Sequence, residues 1–201
     1  MDASDEIIGL YRRHATAWDS RRGRTLFERP WLDRFLARLP TGGSILDLGC
    51  GGGDPMAGYV LDRGFAVTGI DTSPPLLDLA RRRFAAGEWI AADMRGLDLG
   101  RRFDGILAWD SFFHLDHDDQ RAMFEVFRRH AAPGAALMFT SGPSHGIAMG
   151  TFEGEPLYHA SLAPGEYRKM LRTAGFAVVD FRAEDPECGR HTVWLASAPA
   201  A

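Results

Sequence analysis

Nine consecutive residues, Ile45-Leu46-Asp47-Leu48-Gly49-Cys50-Gly51-Gly52-Gly53, constrain this chain more than any others. The first four make a short apolar run broken by one carboxylate, which reads as a buried strand. The glycines that follow carry no Cβ, so the chain can turn sharply and let a ligand approach the backbone. Asp54-Pro55 then reads as a helix N-cap with proline at the first helical position, and the helix should end near Asp62, before Gly64. A glycine cluster set between a strand and a capped helix is the context that holds a nucleotide.

The alternation continues downstream. Phe65 to Ile70 forms a second strand that ends at Asp71, and Ser73-Pro74 opens a helix with Leu76, Leu77, Leu79 and Ala80 at helical spacing. Further strands are expected over Trp89–Ala92, Phe103–Ala108 and Ala135–Thr140, with a helix over 117–131 stopped by Pro133-Gly134. A long loop over 142–162 precedes a helix from Pro164 to Ala174, which Gly175 terminates. Two last strands, Phe176–Phe181 and Thr192–Ala196, have only the turn-rich stretch around Asp185-Pro186 between them, so they should pair antiparallel. Upstream, residues 4–19 and 25–38 read as amphipathic helices, the first capped by Ser4 and the second lining one face with Phe27, Trp31, Phe35 and Leu39.

This pattern predicts an α/β, three-layer fold: a doubly wound, seven-stranded, mostly parallel sheet with an antiparallel C-terminal hairpin and an N-terminal helical cap. All 201 residues then form one domain, with the cap over 1–40 and the core over 44–197. In such sheets ligands lie beyond the carboxyl ends of the strands, where strand order reverses, so the residues just after each strand matter most.

Composition narrows the function. A formal net charge of -4 argues against a general nucleic-acid footprint. With only two cysteines, Cys50 and Cys188, disulfides are not expected to carry the fold, and a reducing cytoplasm is the expected location. The acidic start, Met1-Asp2-Ala3-Ser4-Asp5-Glu6, lacks the apolar run of a secretory signal, and no stretch reaches the ~20 apolar residues of a membrane span.

The glycine turn also limits the cofactor. A dinucleotide fingerprint needs Gly-x-Gly-x-x-Gly, but the sixth position from Gly49 is Asp54 and from Gly51 is Met56. A carboxylate at Asp54 would oppose a pyrophosphate at that helix start. The cofactor should therefore carry little phosphate charge. Asp71 can accept hydrogen bonds from both hydroxyls of a ribose, or serve simply as a cap beside Ser73.

The segment Ile45–Gly53 resembles the first motif of the class I, Rossmann-like S-adenosylmethionine-dependent methyltransferases, and the likeness extends over residues 44–197. Val67–Ser73 resembles the second strand with its ribose-binding acid, and Ala92-Asp93-Met94 the third-strand motif. Phe103–Asp110 is similar to the fourth-strand motif, Ala132–Phe139 to the turn before the fifth strand, and Leu171–Phe176 to the element before the sixth. The resemblance implies S-adenosylmethionine as cofactor. Gly49, Cys50, Gly51 and Gly53 would cradle it, Asp47 would suit its ammonium side, and Asp71 with Thr72 would take the ribose. Asp93 would take the adenine amino group and the Met94 N–H the ring. Gly134-Ala135 replaces the more usual pair of glycines. No Asn-Pro-Pro-Tyr-type motif follows the fourth strand, which disfavours amino methylation of DNA bases or protein glutamine by that route.

Other residues carry two readings. Tyr11 and Trp18 share a helix face and either lid the cofactor or fill the core. Trp109, Phe112 and Phe113 either wall the adenine or acceptor, or are core. Arg21-Arg22-Gly23-Arg24 contacts a carboxylate or is a solvated face. His114, Asp116, His117 and Asp118 lack a second ligand cluster, so no metal site is expected, and Asp116 reads as a helix cap. The loop over 142–162 holds His145, Glu153, Glu155, Tyr158 and His159, from which His159 and His145 are the candidate general bases. The expected reaction is in-line methyl transfer to a small-molecule acceptor. The alternatives are a nicotinamide-dependent oxidoreductase on a related scaffold and a non-catalytic cofactor-binding or interaction module. The oligomeric state is not legible.

Overall fold

The computed structural model describes residues 4–200, so residues 1–3 of the expected cap lie outside the described residues. The strands are β1 (Ser44–Leu48), β2 (Ala66–Asp71), β3 (Glu88–Ala91), β4 (Phe103–Ala108), β5 (Ala131–Ser141), β6 (Gly146–Phe152), β7 (Glu155–Ser161), β8 (Ala177–Asp185) and β9 (His191–Ser197). Seven of them form one sheet in the order β3-β2-β1-β4-β5-β9-β8. The first five are parallel, while β9 pairs antiparallel with both β5 and β8. The seven-stranded sheet and its C-terminal antiparallel hairpin are those expected from the sequence. Strand order reverses between β1 and β4, which sets the ligand crevice beyond Leu48 and Ala108.

Both faces of the sheet are covered, and the period-two alternation along each strand divides the core. Leu46, Ile106, Leu137 and Phe139 face Phe124 and Phe127 of α6 (His117–His130), and Tyr167 and Leu171 of α7 (Pro164–Thr173). Their neighbours Ile45, Leu107 and Met138 point the other way. They meet Trp31 and Phe35 of α3 (Arg29–Leu36), Val60 of α4 (Met56–Leu61) and Leu77 of α5 (Pro74–Arg83). Each such aromatic or branched side chain contributes about 1.5–3 kcal/mol on full burial.

Several boundaries differ from the sequence reading. The helix expected over 4–19 is two, α1 (Glu6–Arg13) and α2 (Ala15–Arg21), because His14 leaves helical geometry at φ -110°, ψ 21°. There both Arg13 and His14 bind the Glu155 carboxylate of β7, a tertiary pull that a helical pattern does not encode. Asp5, not Ser4, occupies the N-cap of α1. The helix expected from residue 25 begins at Arg29, since Pro30 lacks an N–H and fits only the first turn. Pro55, not Asp54, sits at the N-cap of α4. β5 starts at Ala131 rather than Ala135, with Ala131 opposite Phe103 before a register shift.

The largest correction concerns the loop expected over 142–162. It is a two-stranded hairpin of β6 and β7, separate from the main sheet. Its two-residue turn, Glu153 (φ 51°) and Gly154 (φ 82°), has the paired positive angles of the tight turns that match strand twist. A small third core of Ile7, Leu10, Phe152, Tyr158 and Ala160, with Tyr11 and Trp18 packed on it, joins this hairpin to α1 and α2. Among the described residues, no helix is long and apolar enough to cross a membrane.

Candidate active site

The crevice is assembled from strand ends. After Leu48 the chain turns at Gly49, whose φ of 79° suits glycine, and a Cβ there would stand 2.2 Å from the Ser111 Cβ. The N–H groups of Gly49 and Cys50 both donate to the Ile70 carbonyl, at 2.7 and 3.1 Å, which pins the turn to the end of β2. The Ser111 hydroxyl donates to the Leu48 carbonyl at 2.6 Å, which ties it to the segment after β4.

Asp71 closes the turn from below. Its Oδ2 accepts from the Gly51 N–H at 2.9 Å and its Oδ1 from the Ser73 N–H at 2.8 Å. Burial raises its pKa, and the N–H donors of Ser73, Gly51 and Thr72 pull it partly back. Asp47, buried at the end of β1, is pushed up to about 7 by burial and then by the charge of Asp71. Asp93 differs: Arg95 takes both its oxygens, with Nε 3.2 Å from Oδ1 and 3.0 Å from Oδ2, and Nη2 2.7 Å from Oδ2. Arg95 also reaches Asp119 and Asp5.

Two adjoining recesses result. One is lined by Tyr11, Trp18, Gly49, Gly51, Asp71, Thr72, Asp93, Met94, Asp110, Ser111 and His114, with Ile7, Ile70, Leu76 and Leu115 as its apolar walls. The other is lined by Trp18, Asp19, Arg22, Asp47, Gly49, Cys50, Gly51, Gly53, Asp54, Trp109 and Asp110. Every residue expected at the cofactor therefore lines one recess or the other.

His159 and His145 do not. They line a third cavity with Phe113, Ser144, Ile147 and Ser161, between the hairpin and the segment after β5. The His145 ring stacks on His117 at 4.5 Å, and the His159 ring lies 4.8 Å from that of His114. Burial lowers the pKa of His159, although Asp110 and a bond to the Ala148 backbone act against it. His114 forms the wall between the cavities. Its Nδ1 donates to the Tyr158 carbonyl at 2.8 Å, leaving Nε2 to accept from the Tyr11 hydroxyl at 3.0 Å. That bonding describes a neutral ring, and burial takes its pKa down to about 4.

The cluster His114, Asp116, His117 and Asp118 diverges in space. His114 faces Tyr11, Asp116 caps α6 by accepting from the Asp119 N–H, and His117 donates to the Gly146 and Ser161 carbonyls. Among the described residues, no group of three or more His, Cys, Asp or Glu is placed to hold a metal ion.

The sequence reading passed over Asp110, Ser111, Arg95 and His191. Asp110 stands just after β4, where the strand-end rule points. His191 Nε2 lies 3.0 Å from Asp110 Oδ1, a pairing across 81 residues that no local spacing reveals. The Trp109 Nε1 is buried with no hydrogen-bond partner, and its ring stacks on His191 at 5.5 Å.

Residues 45–134 match the model of a family described as a methyltransferase domain. Malonyl-[acyl-carrier protein] O-methyltransferase of Pseudescherichia vulneris is 34% identical over 138 residues, 67% of this chain and 53% of that protein. The chain thus spans about half the length of that relative. Magnesium-protoporphyrin O-methyltransferase of Rhodobacter capsulatus is 29% identical over 159 residues, 72% of this chain and 69% of that one. Among solved structures, the 1,6-didemethyltoxoflavin-N1-methyltransferase of Burkholderia thailandensis, with 1,6-didemethyltoxoflavin and S-adenosylhomocysteine bound, shares the fold. Its TM-score is 0.75 at 23% identity, over 99% of this chain and 92% of that one. Domain match, sheet order and the succession of motifs along β1 to β5 agree: residues 45–134 match a methyltransferase domain, and the chain has the class I, Rossmann-like fold and is similar to the S-adenosylmethionine-dependent methyltransferases that share it.

Proposed function

We propose that this protein transfers the methyl group of S-adenosylmethionine to a small-molecule acceptor by in-line displacement. The observation that carries the reading is the convergence of three strand ends, at Gly49–Gly53, Asp71 and Asp93, on one pair of joined recesses. Those residues fit the cofactor's chemistry. The apolar walls Ile7, Ile70, Leu76 and Leu115 suit a purine, and Asp71 suits the two hydroxyls of a ribose. Asp47 suits an ammonium group. Asp93 contributes less, since Arg95 occupies both its oxygens.

The same inventory works against a nicotinamide dinucleotide. A pyrophosphate at the glycine turn would meet Asp47, Asp54 and Asp71, and the arginines lining the recesses, Arg22 and Arg95, are both held by carboxylates. The bound cofactor supplies an electrophilic methyl on a sulfonium, already a good leaving group. The protein's task is alignment, which can lower a barrier by ~7–11 kcal/mol. Tyr11 and Trp18 close over the crevice and exclude water, and Trp109 walls it from the sheet side. His159 is the first candidate to receive an acceptor proton, because its neutral ring bonds the Ala148 backbone with one nitrogen and has a second to offer. His145 is the second candidate. The helices α1 and α2 act as a lid on the 44–197 core within one domain, while α3 packs into that core. A small acceptor suits this arrangement, and the net charge of -4 argues against nucleic acid. Free Cys50 and Cys188 go with a reducing, cytoplasmic setting.

Titration calorimetry and thermal shift with S-adenosylhomocysteine and with NADH test this reading. Binding and stabilisation by the former alone are expected. Stabilisation by NADH alone would transfer the protein to the oxidoreductases. Binding of S-adenosylmethionine without transfer of labelled methyl to any of a broad acceptor panel would make it a cofactor-binding module.

A further inference from the structure

We propose that Asp110 faces the transferred methyl group and makes the site select an amine nitrogen, rather than a carboxylate oxygen, as methyl acceptor. The proposal rests on the methyl-transfer reading above. The sulfur of the cofactor joins its adenosyl and methionyl halves, so it belongs where the two recesses meet. Among the described residues, only Trp18, Gly49, Gly51 and Asp110 line both recesses, and Asp110 is the one ionisable side chain of the four.

The fold holds Asp110 there against a conformational cost. Its φ of 48° is uncommon for a residue with a side chain. The Asp110 N–H donates to the Thr140 hydroxyl at 2.9 Å, and that hydroxyl lies 3.3 Å from Oδ1. His191 Nε2 sits 3.0 Å from Oδ1 and 3.1 Å from Oδ2, while its Nδ1 is 2.8 Å from the Cys188 carbonyl. Acceptors at both ring nitrogens require both to be protonated, so His191 is an imidazolium. Burial works against that charge, and the Asp110 bond and charge together with the Cys188 carbonyl overcome it. On the cavity side Tyr11, His114 and His159 all feel the Asp110 charge.

An anionic acceptor would enter a crevice holding Asp47, Asp71 and Asp110 with no uncommitted arginine or lysine among the described residues lining it, and the imidazolium of His191, bonded to Asp110, does not line it. Arg22 is paired with buried Glu28, and Arg95 with Asp93, Asp119 and Asp5. His114, bonded as a neutral ring, offers no charge. An amine meets the opposite conditions. Its N–H is a donor to Asp110, and its lone pair forms the N–CH3 bond as the S–CH3 bond breaks with its electron pair left on sulfur. The positive charge moves from sulfur to nitrogen, and the product ammonium then loses a proton to water. Positive charge stays beside Asp110 throughout, so the carboxylate discriminates between acceptors more than it accelerates the step.

Asp110→Asn tests this in the full chain, because asparagine also tolerates the left-handed backbone. Calorimetry with S-adenosylmethionine, cationic at sulfur, and S-adenosylhomocysteine, neutral there, needs no acceptor. The variant should bind the former at least fivefold more weakly and the latter within twofold of the wild type. In wild-type protein saturated with S-adenosylhomocysteine, benzylamine and cyclohexylamine should raise the melting temperature, and benzoate and cyclohexanecarboxylate should not. Equal effects of Asp110→Asn on both nucleosides, no effect on either, or carboxylates stabilising as well as or better than the amines would overturn the proposal. So would the absence of any shift with the amines. Failure of the wild type to bind S-adenosylhomocysteine at all would instead remove the cofactor reading.

Discussion

Two aspartates at neighbouring strand ends show how identical side chains acquire different surroundings. Asp71 accepts backbone N–H bonds on both oxygens and keeps the remaining lone-pair capacity for a ligand, whereas the Arg95 side chain takes both oxygens of Asp93. Asp71→Ala should therefore weaken S-adenosylhomocysteine by ~1.5–3 kcal/mol, the scale of hydrogen bonds to a charged group. Asp93→Ala should cost clearly less, and calorimetry giving the reverse order would reassign the two. Asp47 makes a pH prediction. Burial, and then Asp71, raise its pKa to about 7, above the ordinary carboxylate value. The folded state thus holds this proton more tightly than the unfolded chain. The associated stability is fully present below the unfolded pKa and is lost as pH rises through about 7. Asp47→Asn should flatten that slope and make the protein more stable than wild type at pH 8, by on the order of 1–4 kcal/mol in urea unfolding. Identical slopes would show that Asp47 does not titrate there. Both aspartates were legible in the sequence because a carboxylate just after an apolar run is a local pattern. Asp110 obeys the same rule, but what distinguishes it, the contact with His191, is set by how β9 lies beside β5.

At the scale of elements, the order of strands and helices in the core could be read because the central strands are short apolar runs buried on both faces, and most helix stops have a glycine or proline close by. The hairpin of β6 and β7 could not. β6 buries only Phe152, and its larger apolar side chains, Ile147 and Met149, are 58% and 54% exposed, so no alternation marks it as a strand. Its strongest local cue was the turn at Glu153-Gly154. The break at His14 was hidden for the opposite reason: the local pattern is helical, and the cause, Glu155, lies in another element. The turn invites a test. Gly154 has φ 82° with nothing within 4 Å of where a Cβ would stand, so Gly154→Ala changes backbone strain and little else. It should destabilise the hairpin by ~1–2 kcal/mol. Faster amide exchange over residues 146–161, with exchange in β1 and β4 unchanged, is the expected result. Unchanged exchange in the hairpin would mean the turn is not strained by a side chain.

The whole molecule is two unequal bodies of packing. Most of the chain is held by two large clusters pressed on the faces of the seven-stranded sheet. The lid of α1, α2 and the hairpin is held by five buried side chains and by pairs such as Arg13–Glu155, Arg21–Glu153 and Arg83–Asp19. Exposed ion pairs contribute only ~0–1 kcal/mol each and weaken with salt. Opening the lid should therefore cost much less than unfolding the sheet, which gives a cofactor a way into a crevice roofed by Tyr11 and Trp18. Native-state hydrogen exchange should find amides of 6–21 and 146–161 opening together, at lower free energy than those of β1, β4 and β5, and more readily at high salt. A ligand that touches both sheet and lid binds only the closed form. S-adenosylhomocysteine at a hundred times its dissociation constant should then raise lid protection by up to ~2.7 kcal/mol. Lid and sheet exchanging at one common free energy, with or without ligand, would show a single cooperative unit and require another path to the site.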